Sequence, residues 1–232
     1  MSERRPHIFL HVGTHKTGTT SIQAFLESQV AFLRDHGVSF CENLRGRPNF
    51  KDLFQLCVDR SRRRGFRRGR TWPPRSLRRV LTRRHIASRL HDIEAGTCVI
   101  SSEHLSYLRT PGEIATLRAL FPEGCRFTVV LCLRERAAFL ASYRRQLEAQ
   151  GVPIDPRPGR FNSAGDDSWL LDYGAIEATF RHLTEDVRVI DFDAAVANDG
   201  NIIHAFCRAI GIEASLDDEV LPTLNVRSRP SS

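Results

Sequence analysis

The sequence predicts a three-layer α/β fold with a central parallel sheet and helices on both faces. Short apolar runs alternate along the chain with longer segments whose apolar residues recur at helical spacing, which is the order of a parallel sheet. Residues 126–133 are almost all apolar, as expected for a strand that helices cover on both faces. With 232 residues, 41% of them hydrophobic, we expect residues 1–232 to form one domain.

Five segments have the composition of buried strands. They are short, apolar and rich in β-branched or aromatic residues, and polar clusters follow three of them. In parallel sheets, ligands bind at the carboxyl ends of the strands, so these clusters are candidate site residues. The predicted strands are residues 7–12, 38–40, 97–101, 126–133 and 187–192.

Seven segments have the apolar spacing of helices. Thr19 or Thr20 can cap the first of them, and Gly37 follows its end. Pro111 suits the first turn of another. The Pro- and Gly-rich residues 151–167 are predicted to be a loop. The predicted helices are residues 19–35, 50–58, 77–93, 111–121, 135–150, 173–183 and 201–210.

The positive charge of the chain is concentrated in one segment, an arginine-rich insert at residues 60–89. The net charge is +7, yet this segment holds thirteen arginines and no Asp, Glu or Lys, so the rest of the chain is net negative. Three interpretations stay open: a solvated surface, a lid that binds an anionic ligand, and a nucleic-acid-binding surface. Phe66 and Trp72 lack the regular spacing of a base-stacking surface, so we expect nucleic acid not to be the partner.

Other sequence features argue against a metal site, a disulfide framework and a membrane span. The six cysteines form no C-x-x-C pair and no zinc-ligand spacing, and we expect all six to be reduced. The apolar run near the N-terminus is too short for the core of a signal peptide. No stretch approaches the roughly 20 apolar residues of a membrane helix, and we expect a cytoplasmic protein.

The residues between the first strand and the first helix have the properties of a phosphate-binding loop. They read GTHKTGTTS from Gly13 to Ser21. Glycines allow turns that aim backbone N–H groups at an anion, the helix N-terminus adds partial positive charge, and Lys16 adds a full one. The loop differs from a Walker A loop because Lys16 precedes Gly18 instead of following it. We therefore expect a P-loop-like fold.

This loop resembles that of the sulfotransferase family. The family binds the 5'-phosphosulfate of 3'-phosphoadenosine 5'-phosphosulfate (PAPS) with the pattern Pro-Lys-x-Gly-Thr-Thr/Ser, and residues 15–20 here read His-Lys-Thr-Gly-Thr-Thr. The likeness covers roughly residues 7–212 and is greatest to short bacterial sulfotransferases. It implies that PAPS is the co-substrate and that no metal is required. It also implies a set of cofactor-binding residues in the loop: His15, Lys16, Thr17, Gly18, Thr19 and Thr20.

A second pair of residues matches the family's site for the 3'-phosphate of PAPS. In the family an Arg ends a central strand and a Ser follows eight positions later on the next helix. Here Arg134 follows the strand at 126–133, and Ser142 stands eight positions on. An arginine fork binds phosphate in bidentate fashion, and a helix serine donates one further hydrogen bond.

Besides having His15 in place of the Pro of the loop pattern, the chain departs from the family in two places. The C-terminal Gly-x-x-Gly-x-x-Lys pattern of the cytosolic branch is missing, and Ser21 replaces the Trp that stacks on adenine after the phosphate loop. Asn225, Arg227 and Ser228 are candidates for part of the 3'-phosphate contact.

The resemblance also implies the catalytic residues. Sulfuryl transfer is an in-line displacement in which negative charge grows on the leaving oxygen, and Lys16 is expected to neutralise it. A general base takes the proton of the acceptor hydroxyl or amine. Glu103 and His104 follow the strand at 97–101, and Glu103 is the favoured base. The competing interpretation is that Glu103 caps the next helix, as acidic residues in a first turn often do.

Other functions fit parts of the sequence. A nucleotide-dependent kinase on a related P-loop fold predicts a magnesium site and ATP turnover. A non-enzymatic binder of nucleic acid or another polyanion, acting through residues 60–89, predicts salt-dependent binding that does not depend on Lys16. An inactive relative of the sulfotransferases predicts cofactor binding without transfer. The expected acceptor is a saccharide or a small metabolite that carries a hydroxyl or an amine.

Overall fold

The computed structural model describes residues 5–62, 74–93 and 96–213, and its centre is a five-stranded parallel sheet. The strand order is β2-β3-β1-β4-β5, and every pairing is parallel. The predicted α/β fold with a parallel sheet is confirmed. The strands are β1 His7–Gly13, β2 Ser39–Phe40, β3 Thr97–Ser101, β4 Arg126–Leu133 and β5 Val187–Asp191.

Nine α-helices occur in the described residues, and each predicted helical segment overlaps at least one of them. Short 3₁₀ helices occur at Glu103–Tyr107 and Trp169–Leu171. The α-helices are α1 Thr19–Ser28, α2 Val30–Asp35, α3 Lys51–Cys57, α4 Arg75–His91, α5 Pro111–Arg118, α6 Arg136–Ala149, α7 Tyr173–Arg181, α8 Phe192–Asp199 and α9 Ile203–Ala209.

The sequence prediction was wrong about helical structure in two places. Residues 19–35 do not form one helix, because Gln29 leaves the helical backbone region (φ −109°, ψ 36°) and separates α1 from α2. Helix α8 was not predicted, because its first residue, Phe192, was assigned to the end of the predicted strand at 187–192. Asp191 ends β5 and also caps α8, accepting a hydrogen bond from the Ala194 N–H at 3.0 Å.

Apolar residues cover both faces of the sheet and form two separate cores. Ile8, Leu10 and Val12 of β1 point to one face, where they are fully buried in a core shared with α3 to α7. Phe9 points to the other face, where α1, α2, α8 and α9 pack. Because successive residues of a strand point to opposite faces, this alternation confirms the three layers.

The strand order places β1 between β3 and β4, and this position defines the candidate site. The chain leaves β1 first towards β2 and β3 and later returns to β4 and β5 on the other side. Ligands in open α/β sheets bind outside the carboxyl ends of the strands where the order reverses in this way. The segments that follow Gly13, Ser101 and Leu133 therefore meet at one edge of the sheet.

Part of the arginine-rich insert forms helix α4, whereas residues 63–73 lie outside the described residues. All six cysteines are buried free thiols. Within the described ranges, none of the helices combines the length and the apolar composition needed to cross a membrane.

Candidate active site

The predicted phosphate-binding loop, residues 13–18, turns sharply between β1 and α1. Gly13 and Gly18 have left-handed backbone conformations (φ 83° and 71°), and so has Lys16 (φ 64°). This conformation is uncommon for a residue other than glycine and occurs often at functional sites. Gly18 has a further constraint, since a Cβ there would lie 2.8 Å from the Ile202 side chain. Gly18 therefore allows α1 to begin close against α9.

Two threonine hydroxyls hold the loop in place. Thr14 donates from its N–H (2.7 Å) and its hydroxyl (3.1 Å) to the Cys132 carbonyl of β4. The Thr17 hydroxyl donates to the Thr14 carbonyl at 2.7 Å, and both residues are buried. These hydrogen bonds fix the loop to the sheet, so the part of Thr17 left for an anion is its backbone N–H.

The loop meets a carboxylate at the end of the neighbouring strand. Glu103 begins the 3₁₀ helix after β3, and its Oε2 accepts a hydrogen bond of 2.5 Å from the Thr19 hydroxyl. Its Oε1 accepts one of 3.3 Å from the Asn49 side-chain amide. The close approach depends on Gly13, because a Cβ there would lie 3.1 Å from the Glu103 Cα. The Glu103 carboxylate is therefore held by the first residue of α1 rather than capping its own helix.

Two histidines complete the cluster around Glu103. The Nδ1 atoms of His15 and His104 lie 3.7 and 3.9 Å from the carboxylate oxygens of Glu103. The His15 ring stacks on Tyr107 (centroids 4.7 Å apart) and meets His104 edge-on at 5.0 Å. Burial, reinforced by the positive charge of Lys51, lowers the pKa of each of the two histidines to about 3. Both imidazoles are therefore neutral at neutral pH.

The third part of the site comes from the end of β4. The Arg134 guanidinium donates from Nη1 to the Lys16 carbonyl at 3.2 Å. It lies over the Phe192 ring, 5.0 Å from the ring centre, and its Nε is 3.5 Å from Asp193 Oδ1. The buried Nε makes no hydrogen bond within the described part of the chain and faces Asp193, so an anion can reach only the terminal Nη groups of Arg134. Arg134 thus joins the phosphate loop to α8.

Comparisons with known proteins give a likeness in structure alone. No family model matches the sequence, and no curated protein matches it. The structure is similar to a sulfotransferase from Alicyclobacillus acidocaldarius at a TM-score of 0.50 and 14% identity, covering 93% of this chain and 88% of that one. It is also similar to the sulfotransferase domain of the curacin biosynthetic pathway at a TM-score of 0.51 and 11% identity, covering 93% and 76%. The chain has a sulfotransferase-like fold.

On this sulfotransferase-like fold, most of the predicted site residues lie at one edge of the sheet. Lys16, Thr19, Glu103, His104 and Arg134 belong to segments that contact one another there. Two other predicted site residues lie on helices. Thr20 is exposed on α1, and Ser142 is half-buried on α6. Asn225, Arg227 and Ser228 lie outside the described residues.

Sequence reasoning missed several residues that the sulfotransferase-like fold brings to the site. Asn49 reaches Glu103 because a single β-bridge pairs it with Ser101. Phe192 and Asp193 reach Arg134 because α8 begins directly after β5. No local pattern marks these residues, and all three lie more than 50 positions from the residue they contact. Within the described ranges, no group of three or more His, Cys, Asp or Glu side chains is arranged to hold a metal ion.

Proposed function

We propose that this protein is a sulfotransferase that moves a sulfuryl group from PAPS to the hydroxyl or amine of an acceptor. The observation that carries the proposal is the meeting of three segments at one edge of the sheet. The loop at 13–18 supplies backbone N–H groups and Lys16, the end of β4 supplies Arg134, and the end of β3 supplies Glu103. A donor with phosphates at both ends needs two separate cationic groups, and a transfer reaction needs a base between donor and acceptor.

Each residue then has one task. Lys16 and the loop N–H groups bind the 5'-phosphosulfate, and Arg134 with Ser142 binds the 3'-phosphate. During transfer the acceptor oxygen or nitrogen forms a bond to sulfur while the bond from sulfur to the phosphate oxygen breaks. Lys16 neutralises the charge that grows on that leaving oxygen, and Glu103 takes the acceptor's proton.

Two contacts support Glu103 over His104 as the base. The hydrogen bonds from Thr19 and Asn49 fix the orientation of the carboxylate beside the loop. The pKa of His104, lowered to about 3 by burial, makes its imidazole a weak base at neutral pH. His104 and His15 instead form the wall against which the carboxylate packs.

The donor site is tested by titration calorimetry with 3'-phosphoadenosine 5'-phosphate (PAP), the product that remains after transfer. We expect micromolar binding, weaker binding of ATP, and at least tenfold weaker PAP binding in Lys16→Asn and in Arg134→Gln. Asparagine suits the left-handed backbone at position 16, so this change removes the charge with little strain.

The matched control is Arg145→Gln, which removes an exposed arginine from α6 and should leave PAP affinity unchanged. Failure of the folded wild-type protein to bind PAP would remove the proposed donor. Tighter binding of ATP than of PAP would favour a kinase instead.

A further inference from the structure

A cavity of about 260 Å³ lies beside the candidate active site and is rich in arginine. It forms where the first residues of the arginine-rich insert meet the loop after α6. No motif in the sequence marks it. Its lining residues are Ser61, Arg62, Arg157, Gly159, Arg160 and Phe161. We refer to it as the arginine pocket.

The arginine pocket is joined to the phosphate loop by two ring contacts. Phe161 in its wall packs against Tyr107, with ring centres 5.1 Å apart. Tyr107 in turn stacks on His15 of the loop at 4.7 Å. The wall of the pocket and the phosphate loop therefore share one continuous set of packed rings.

The charges in the pocket are not balanced. Glu113 is fully buried and holds Arg62 through both carboxylate oxygens at 2.6 and 2.7 Å. Asp155 is shared by Arg157, at 2.6 and 2.8 Å, and Arg160, at 3.9 Å. Among the residues that the structure describes there, three guanidinium groups thus face two carboxylates, which leaves one positive charge for a ligand.

The arginines also keep hydrogen-bond donors for a ligand. A guanidinium has five N–H donors. Asp155 takes donors from Nε and Nη2 of Arg157, whereas Arg160 approaches it only at ion-pair distance. Both arginine side chains are exposed to solvent, at 66% and 42%. A carboxylate or sulfate group that enters the pocket meets donors that are already oriented by Asp155.

The wall of the pocket suits a ring. Phe161 is half-buried and packs against Trp169 at 5.2 Å, and Arg62 lies over the same indole at 5.3 Å from its centre. Aromatic faces give ring compounds apolar contact area, while the surrounding guanidinium groups select for negative charge.

We propose that the arginine pocket binds an anionic group of the acceptor, a carboxylate or a sulfate ester, and that the acceptor is an anionic saccharide. The identification of the ligand as the acceptor rests on the proposed sulfotransferase function, whereas the binding of an anionic saccharide at the pocket is testable by itself. The pocket lies two ring contacts from His15 of the phosphate loop, so an anionic group bound in it holds the acceptor beside the candidate active site.

The test is a titration with three tetrasaccharides, run with and without saturating PAP. The probes are tetragalacturonate, its full methyl ester, and maltotetraose carrying sulfate esters. We expect tetragalacturonate or the sulfated maltotetraose to bind and the neutral methyl ester not to bind. The double variant Arg157→Gln/Arg160→Gln should weaken that binding at least tenfold and leave PAP affinity unchanged.

The matched control is Arg181→Gln/Arg208→Gln, which removes two exposed, ion-paired arginines from α7 and α9. It should bind the probes like the wild type. Binding of tetragalacturonate alone would show that the pocket selects a carboxylate. Binding of both anionic probes would show that it selects negative charge without distinguishing a carboxylate from a sulfate ester. Equal binding of the ester and the acid, no binding of either anion, or an unchanged double variant would overturn the proposal. A wild type that binds the anion without binding PAP would contradict the proposed function and leave the pocket supported.

Discussion

Two basic regions of this protein use positive charge in different ways. The phosphate loop has one cationic side chain, Lys16, in a turn whose hydroxyls are bonded back to the protein. Helix α4 has several arginines, and some of them hold neighbouring segments together. Arg78 binds Asp52 at 2.5 Å, Arg89 binds Glu42 at 3.0 Å, and Arg75 donates to a backbone carbonyl of α3. The density of charge in the sequence therefore does not by itself identify a ligand-binding cation.

The position of each region on the sheet accounts for this difference. The loop follows the central strand β1, at the edge where α/β folds bind ligands. Helix α4 packs against α3 and near the outer strand β2, so its nearest partners are side chains and carbonyls of the protein itself. Arg83 and Arg84 of α4 remain exposed.

The largest expected effect comes from removing the candidate base. Glu103→Gln keeps the shape of the side chain and removes its ability to take a proton. We expect sulfuryl transfer to fall about 10²- to 10⁴-fold, with PAP affinity changed less than about threefold. The measurement is transfer of labelled sulfate from PAPS to an acceptor found by screening.

Glu42→Gln is the matched control for this change, since Glu42 pairs with Arg89 of α4 and lies outside the candidate site. Its transfer rate should equal that of the wild type. A Glu103→Gln variant with near-normal turnover would contradict the assignment of the base and direct attention to His104.

The pKa values of the histidines in and around the phosphate loop and that of His85 on α4 should be shifted in opposite directions. Burial lowers the pKa of His11 to about 4 and those of His15 and His104 to about 3. Hydrogen bonding to the Cys41 thiol raises the pKa of His85 on α4. An NMR titration of the imidazole protons should find the first three histidines neutral at pH 5.5 and His85 titrating above its ordinary value.

The same shifts predict how stability depends on pH. A histidine with a lowered pKa binds its proton first in the unfolded chain, so acidification below about pH 6.5 favours unfolding. Each of the three buried histidines lowers the free energy of unfolding by about 2 kcal/mol at pH 5. His85 acts oppositely, since its stabilising effect is present below pH 6.5 and is lost as the pH rises through its raised pKa. Urea unfolding at pH 7.5 and pH 5 measures the net effect, and equal stability at both values would contradict the burial of these groups.

The smallest expected effect is the loss of stability when one ion pair of α4 is removed. Arg78→Gln removes a partly exposed ion pair with Asp52 and should lower the free energy of unfolding by about 0.5–1 kcal/mol. PAP affinity should not change, in contrast to Arg134→Gln. Urea unfolding and a PAP titration of the same preparation check both statements. A loss of PAP binding here would place α4 in the donor site and remove the contrast between the two regions.

The sequence was sufficient for those parts of the fold that depend on local pattern. The apolar runs at 97–101 and 126–133 coincide with β3 and β4, and the loop with Lys16 lies at the end of β1 as expected. The helical break at Gln29 was not predicted, because apolar residues continue at helical spacing across it. The capping role expected of Thr19 or Thr20 was also wrong. Gly18 occupies the N-cap position of α1, and the Thr19 hydroxyl binds Glu103 instead.

The sequence by itself determined the α/β class, the position of the phosphate loop and the residues that follow the central strands, since each depends on neighbours within about ten positions. Only the tertiary structure decided which partners those residues have. It brought Asn49 and Thr19 to Glu103, Phe192 and Asp193 to Arg134, and the residues at 61–62 to those at 157–161. The physical reason is that these contacts depend on strand order and on how the helices pack over the sheet, and neither is encoded in the spacing of residues along one segment.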